Sequence, residues 1–259
     1  MAKFTQQQKL YRKIQKQFNR ATKDYSMFAD GDKILVALSG GKDSLTLLCA
    51  MAEIRRFYPK KFDLLAITVD MGCEGMDFSP VKSFCEELGV EYEIVPTQIS
   101  KIIFDVRKEK NPCSLCAKMR RGALYNYAKE RGCNKVALGH HYDDAVETFL
   151  LSLFYEGRIS CFEPVTYLDR TEVTQIRPML YLHEKTVDNF VSRLGLPVIE
   201  NRCPVDKHTK REEIKQLVFD LSSTYPDLKE RIFGAMQRLP LPEWEPQGRY
   251  HRPKDEEIV

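Results

Sequence analysis

The sequence predicts an α/β fold: a doubly wound, mostly parallel sheet, preceded by an N-terminal helix and closed by C-terminal helices. Three observations carry that reading. Short apolar runs alternate with stretches of helical period, the pattern of strands joined by crossover helices. One run, Lys33 to Leu38, passes through a glycine-rich turn straight into a helical stretch. Crossovers between parallel strands are right-handed, so the sheet winds both ways from its first strand.

Each element follows from its pattern. Residues 4–28 place Tyr11, Ile14, Phe18, Ala21, Tyr25 and Phe28 at helical spacing, with a basic opposite face. Residues 33–38 read as a buried strand and 45–57 as a helix. A strand (64–70), a helix (80–88) and a strand (91–95) come next. A helix over 117–131, a strand over 135–139 and a helix over 143–155 lead to a hairpin within 162–177, turning at Asp169-Arg170. Helices over 183–194, 209–222 and 226–238 close the chain. The expected organisation is a basic helical segment (1–30), an α/β domain (31–200), C-terminal helices (201–240) and an irregular tail (241–259). In such sheets ligands gather beyond the carboxyl ends of the strands. That points to residues 39–44, 69–75 and 139–147.

Of the 259 residues, 43% are hydrophobic and 30% charged, as in globular proteins that bury a core without staples. No apolar run reaches about 18 residues, so no membrane span is expected. The N-terminus lacks the apolar stretch of a secretory signal, which predicts a cytoplasmic protein. The net charge of +3 is too small to imply a nucleic-acid partner, but its distribution is uneven. Lys3, Lys9, Arg12, Lys13, Lys16, Arg20 and Lys23 all precede the first acid, Asp24. Arg107, Lys108, Lys110, Lys118, Arg120 and Arg121 bracket one cysteine pair; Arg202, Lys207, Lys210 and Arg211 bracket another cysteine. Any one of these clusters reads alone as solvated surface.

Eight cysteines without an export signal point to metal binding or catalysis rather than disulfides. Cys49 and Cys85 fall in predicted helices, and Cys73, Cys133 and Cys161 sit near turns without evident partners. Cys113 and Cys116 open a helix, and Cys203 follows far downstream. Three thiolates fit a [4Fe–4S] cluster with one iron lacking a cysteine ligand. Cys113, Cys116, Cys203 and His208 equally make a Cys₃His zinc set, and Cys113/Cys116 alone a redox pair. Ligand counting does not separate these.

Ser39-Gly40-Gly41-Lys42-Asp43-Ser44 joins strand to helix, where glycines admit an anion and the helix N-terminus attracts it. The Walker spacing is absent. The loop resembles that of the PP-loop ATP pyrophosphatases, which cleave ATP between the α- and β-phosphates. The resemblance implies ATP binding by residues 39–44, Mg²⁺ at Asp43, and adenine and ribose contacts at Val69-Asp70. Gly139-His140-His141-Tyr-Asp143-Asp144 ends a strand and starts a helix. Asp143 and Asp144 suit a helix start, whereas two histidines exceed what capping needs. Gly139 and His140 are therefore expected to line the nucleotide site. His141 and Asp143, together with Lys42 and Asp43, are expected to take part in catalysis. His183 reads as a surface histidine.

Residues 113–125, 137–148 and 177–179 are similar to tRNA 2-thiocytidine synthetases, in order, over about residues 10–240. That resemblance makes Cys113, Cys116 and Cys203 cluster ligands. It also implies a tRNA substrate, a sulfur donor such as a cysteine desulfurase, and a homodimer. The chain departs from the pattern at Cys203-Pro-Val-Asp206, where the family has a second Cys-x-x-Cys. Asp206 reads either as an extra ligand or as a surface acid. Lysidine synthetases share the loop but lack the cysteine trio and carry a large C-terminal domain. The expected activity is adenylation of a base carbonyl followed by sulfur transfer. A zinc-bearing PP-loop ligase or amidotransferase and a non-catalytic nucleotide- and RNA-binding protein remain the alternatives.

Overall fold

The computed structural model describes residues 6–107, 112–199, 203 and 210–238. Asp206, His208, Arg202, Lys207, Lys108, Lys110, Lys3 and the 241–259 tail lie outside the described residues.

Strand β1 (Asp32–Ala37) is the centre from which the sheet winds. Its apolar residues serve both faces in turn: Ile34 and Val36 enter one core, Leu35 the other. That explains an uninterrupted apolar run where one-sided burial gives alternation. Parallel to β1 lie β2 (Phe62–Asp70) on one side and β4 (Lys135–Ala137) on the other. β3 (Glu91–Pro96), β5 (Val165–Leu168) and β6 (Val173–Ile176) complete the order β3-β2-β1-β4-β6-β5. Only β5 and β6 run antiparallel, as the predicted hairpin, with Asp169 and Arg170 in its turn. The chain leaves β1 toward β2 and returns on its other side at β4. This topological switch opens a crevice at the carboxyl ends of β1 and β4.

Helix α1 (Gln6–Asp24) buries Ile14, Phe18 and Ala21 and leaves Lys9, Arg12, Lys13, Lys16 and Lys23 exposed. Tyr11 meets the Phe190 ring edge-on at 5.0 Å and shares a 3.0 Å hydrogen bond with the Cys49 thiol. It thereby ties α1 to α2 (Lys42–Arg55) and α7 (Glu184–Leu194). Helix α3 (Ser79–Glu87) precedes β3. Between β3 and α5 (Pro112–Glu130) lie a short helical turn α4 (Ile99–Lys101) and a π-helical turn (Ile102–Val106). The sequence pattern did not indicate either turn, because only Ile99 and Ile103 of that segment reach the core. Helices α8 (Lys210–Thr224) and α9 (Leu228–Arg238) pack on α6 (Tyr142–Glu156). No described helix is long and apolar enough to cross a membrane.

Several boundaries move, three of them at the crevice. Helix α2 begins at Lys42 and α5 at Pro112, earlier than periodicity suggests, because their first turns face the crevice and carry no apolar stripe. β4 ends at Ala137, where the chain turns toward His140.

A buried ion pair pins the base of β1. Asp32, 3% exposed, accepts hydrogen bonds from Lys135 Nζ (2.7 Å), Asn134 Nδ2 (2.8 Å) and Ala29 N (2.6 Å). Removing one partner strands the other charge away from water. Asp32→Ala is therefore expected to cost about 3 kcal/mol in urea unfolding, well above a typical surface substitution.

Candidate active site at the sheet switch point

The Ser39–Ser44 loop sits at the mouth of the crevice. Gly40 adopts φ +80°, a conformation L side chains avoid, and a Cβ there would press on Ile199 at 3.1 Å. Gly41 precedes α2 without any side-chain cap, so the helix presents its first N–H groups to the crevice. The hydroxyls serve the loop itself. Ser44 Oγ donates to the Gly41 carbonyl (2.9 Å), and Ser39 Oγ donates to Ser44 Oγ (3.2 Å). Anion affinity at this loop thus comes mainly from backbone N–H groups. Gly139, leaving β4, packs on the same loop: a Cβ there would stand 3.1 Å from the Asp43 carbonyl and 3.2 Å from Ser44 N.

The charged groups divide into held and unheld. Lys42 Nζ bonds Glu184 (2.7 Å) and Asp188 (2.6 Å) on α7. Burial opposes its charge, but these bonds outweigh burial and raise its pKa above the ordinary range. Asp43 is different. Its Oδ1 is buried and has no hydrogen-bond partner among the described residues, and burial raises its pKa against the pull of His141 and Lys42. A bare carboxylate oxygen beside an anion site is a ligand for a hard cation such as Mg²⁺.

His141, 4% exposed, caps α6: its Nδ1 accepts from Asp144 N (3.4 Å), while Asp144 Oδ2 accepts from His141 N (2.8 Å). That bond assigns the ring proton to Nε2, which faces Asp43 Oδ1 at 3.7 Å. Asp143 points elsewhere. It accepts from Lys229 on α9 and from Glu184 N (2.7 Å) on α7, and these bonds hold its pKa below the ordinary range despite burial. The carboxylate expected to take part in catalysis is a strut between helices. His140 stacks on Phe162 (4.9 Å) and accepts from Arg177 Nε (3.1 Å) at its Nδ1. Burial, then the neighbouring guanidinium, push its pKa down to about 3, so the ring stays neutral. His183 is half-buried, with its ring 4.3 Å from Tyr142.

Two cavities share the walls Ser39, Val69 and Arg120. The one of about 300 Å³ is lined by Gly41, Asp70 and Cys73; the one of about 610 Å³ by Asp43, Gly139, His140, Arg121, Arg177 and Arg211. Val69 and Asp70 thus stand beside the loop, as expected. Arg177, 6% exposed, lies over the Phe162 ring at 4.6 Å, and burial lowers its pKa to about 10. Sequence reasoning touched Arg177 only through a resemblance and missed Glu184, Asp188 and Lys229 altogether. Their partners come from helices far along the chain, which no local spacing reveals.

Cys113 is exposed, and Cys116 and Cys203 are half-buried. Burial raises the Cys116 pKa; Arg120 opposes this, while the charges of Cys203, Cys113 and Cys73 reinforce it. Cys203 thus lies within electrostatic range of Cys116. Among the described residues no three potential ligands are already gathered at metal-binding spacing. Mutually repelling thiols beside one arginine are nonetheless a donor set that an iron centre satisfies. One reading of the other cysteines is corrected: Cys161 donates to the Ala145 carbonyl at 3.4 Å.

The PP-loop domain matches residues 9–221. The chain belongs to the PP-loop family. Among its relatives in this family, tRNA-cytidine(32) 2-sulfurtransferase of Aliivibrio fischeri is 38% identical over 233 residues, covering 89% of this chain and 76% of that protein. The protein of the same name from Syntrophotalea carbinolica is 39% identical, covering 88% and 89%. A similar solved structure is the U34-tRNA thiolase NcsA from Methanococcus maripaludis with its [4Fe–4S] cluster. It is 27% identical, with a TM-score of 0.75 over 90% of this chain and 79% of that one.

One buried acid of this PP-loop chain is open to a direct pH test. Glu147, 6% exposed, is pushed up to about 7 by burial, then by Asp144, with Arg211 opposing. The folded state then binds its proton more tightly than the unfolded state, so stability falls as pH rises from about 4.5 to 7. Glu147→Gln is expected to abolish that fall, a difference on the order of 3 kcal/mol at pH 8 in denaturant titrations.

Proposed function

We propose that this chain is an ATP-dependent tRNA thiolase that makes 2-thiocytidine in the anticodon loop. The observation that carries the reading is helix α5, which bears Cys113 and Cys116 at its start and lines both phosphate-loop cavities with Arg120. An adenylating loop and a sulfur-bearing site in one crevice are what carbonyl-to-thiocarbonyl exchange requires.

The base carbonyl oxygen attacks the α-phosphorus of ATP, and pyrophosphate leaves. The oxygen is now part of a good leaving group. A sulfur nucleophile adds at the carbon, and AMP departs with the oxygen. The α2 N–H groups, Lys42 and Mg²⁺ at Asp43 stabilise the charge that develops on the phosphates. His141 faces Asp43 across 3.7 Å, and Gly139 lets the loop close on β4. His140, stacked on Phe162 and kept neutral, offers a flat polar wall for an unstacked base. Arg121 and Arg211, with the basic face of α1, hold RNA phosphates, which makes binding salt-sensitive. A [4Fe–4S] cluster held by Cys113, Cys116 and Cys203 would supply the sulfur as a bound sulfide. The protein acts in the cytoplasm as a homodimer, and a cysteine desulfurase is the sulfur source. Exposed Phe154, Tyr155 and Phe219 on α6 and α8 support the dimer.

Protein prepared without oxygen is expected to contain iron and sulfide rather than zinc. With ATP, sulfide and unmodified tRNA it is expected to yield 2-thiocytidine, measured by nucleoside mass spectrometry. Cys113→Ala is expected to reduce the product to background while ATP binding persists. Zinc in place of iron, or product formation by Cys113→Ala, would refute this scheme. Gly139→Ala is expected to weaken ATP binding about tenfold, roughly 1.4 kcal/mol, in calorimetric titration.

A further inference from the structure

His140 meets the larger cavity with a ring whose proton is placed by a neighbour. Arg177 Nε lies 3.1 Å from His140 Nδ1, and a guanidinium can only donate. Nδ1 therefore accepts, and the ring proton sits on Nε2. Arg177 is itself held: its Nη1 donates to the Glu163 carbonyl, and its guanidinium lies over the Phe162 ring at 4.6 Å. Phe162 also covers one face of the imidazole, with ring centroids 4.9 Å apart. Nε2 bonds no described residue, yet it is not sealed in. Among the described residues the buried side-chain polar atoms without a partner are Asp43 Oδ1, Arg131 Nε and Thr171 Oγ1. The Nε2–H is thus a donor left open on the edge of a ring that lines the cavity with Asp43, Gly139 and Arg121.

A fixed N–H donor suits only a ligand with a lone pair at that point. The four RNA bases differ here. Adenine has no carbonyl oxygen for an adenylating loop to work on, and uracil and guanine carry an N–H group beside each carbonyl carbon. Cytosine alone places an unprotonated ring nitrogen, N3, next to its carbonyl carbon. We propose that His140 selects cytosine, its Nε2–H donating to N3, with Arg177 as the positioning residue that holds the tautomer. This rests on the reading above, in which a base carbonyl is adenylated in this crevice. Against uracil the same wall sets one N–H group against another, and both are left without acceptors. Stacking alone does not discriminate, since every base has a π-face. Recognition at N3 also holds the neighbouring carbon, where sulfur replaces oxygen, beside the phosphate loop.

The test exchanges single atoms in the RNA. Holoprotein with ATP is given tRNA transcripts bearing cytidine, uridine or 3-deazacytidine at the modified nucleotide, and pyrophosphate release is followed. 3-Deazacytidine keeps the carbonyl and the amino group and replaces N3 by C–H. For the wild-type protein, kcat/KM is expected to fall on the order of 30-fold for both substitutes, the scale of one buried hydrogen bond left unmade. His140→Phe, which keeps a flat ring, is expected to lower cytidine to that level and to leave 3-deazacytidine unchanged. As a second measurement, nitrogen-15 spectra of the histidine rings are expected to show His140 as the Nε2–H tautomer, and Arg177→Met to mix the two tautomers. Equal use of cytidine and 3-deazacytidine by the wild type would overturn the contact at N3. An equal fall for all three RNAs in His140→Phe would make the ring structural and overturn it as the selector. An Nδ1–H tautomer in the wild type, or an unmixed one in Arg177→Met, would overturn the role of Arg177. Protein that binds ATP yet releases no pyrophosphate with any transcript would overturn adenylation itself, the reading beneath the proposal.

Discussion

The architecture of the site depends on one backbone contact: Gly139, just past β4, lying against the Asp43–Ser44 peptide at the start of α2. Parallel pairing of β1 with β4 brings these two exits side by side, and the lack of a side chain at Gly139 lets them touch. The first N–H groups of α2, the Asp43 carboxylate and the two histidines then share one crevice. Had the chain wound in one direction only, the phosphate loop and the His140-His141 segment would lie apart.

Around that contact the C-terminal helices form an electrostatic frame. Glu184 on α7 receives Lys42 from α2 and Lys215 from α8, each within 2.8 Å. Asp143 on α6 receives Lys229 from α9. These links are partly buried, so they are screened less by salt than surface pairs and hold helices in register around the nucleotide loop. The same frame ties Asp143 to α7 and α9.

The alternation of strands and helices, the phosphate loop and the three ligand-bearing segments were legible in the sequence because each is a local pattern. The Cys113/Cys116 pair and Cys203 were legible as residue types. Relations that form only on folding were not legible. Glu184, Asp188 and Lys229 look like ordinary helix-surface charges until α7 and α9 dock. Asp143 looked chemical because it adjoins two histidines, and folding adds bonds from Lys229 and Glu184 N that no local pattern reveals. The π-helical turn at Ile102–Val106 carries too few apolar residues to announce itself.

The clasp on Lys42 has a bearing on selectivity. An ammonium group shared by two carboxylates does not turn toward a weak anion, because chloride or a lone phosphate gives back less than the pairs it breaks. A polyphosphate chain bearing several charges and its own metal can draw the lysine across. The loop is thus tuned to remain indifferent to the abundant simple anions of its surroundings and to respond to a charge-dense ligand. Glu184 and Asp188, far from any reacting atom, act as the threshold of that discrimination.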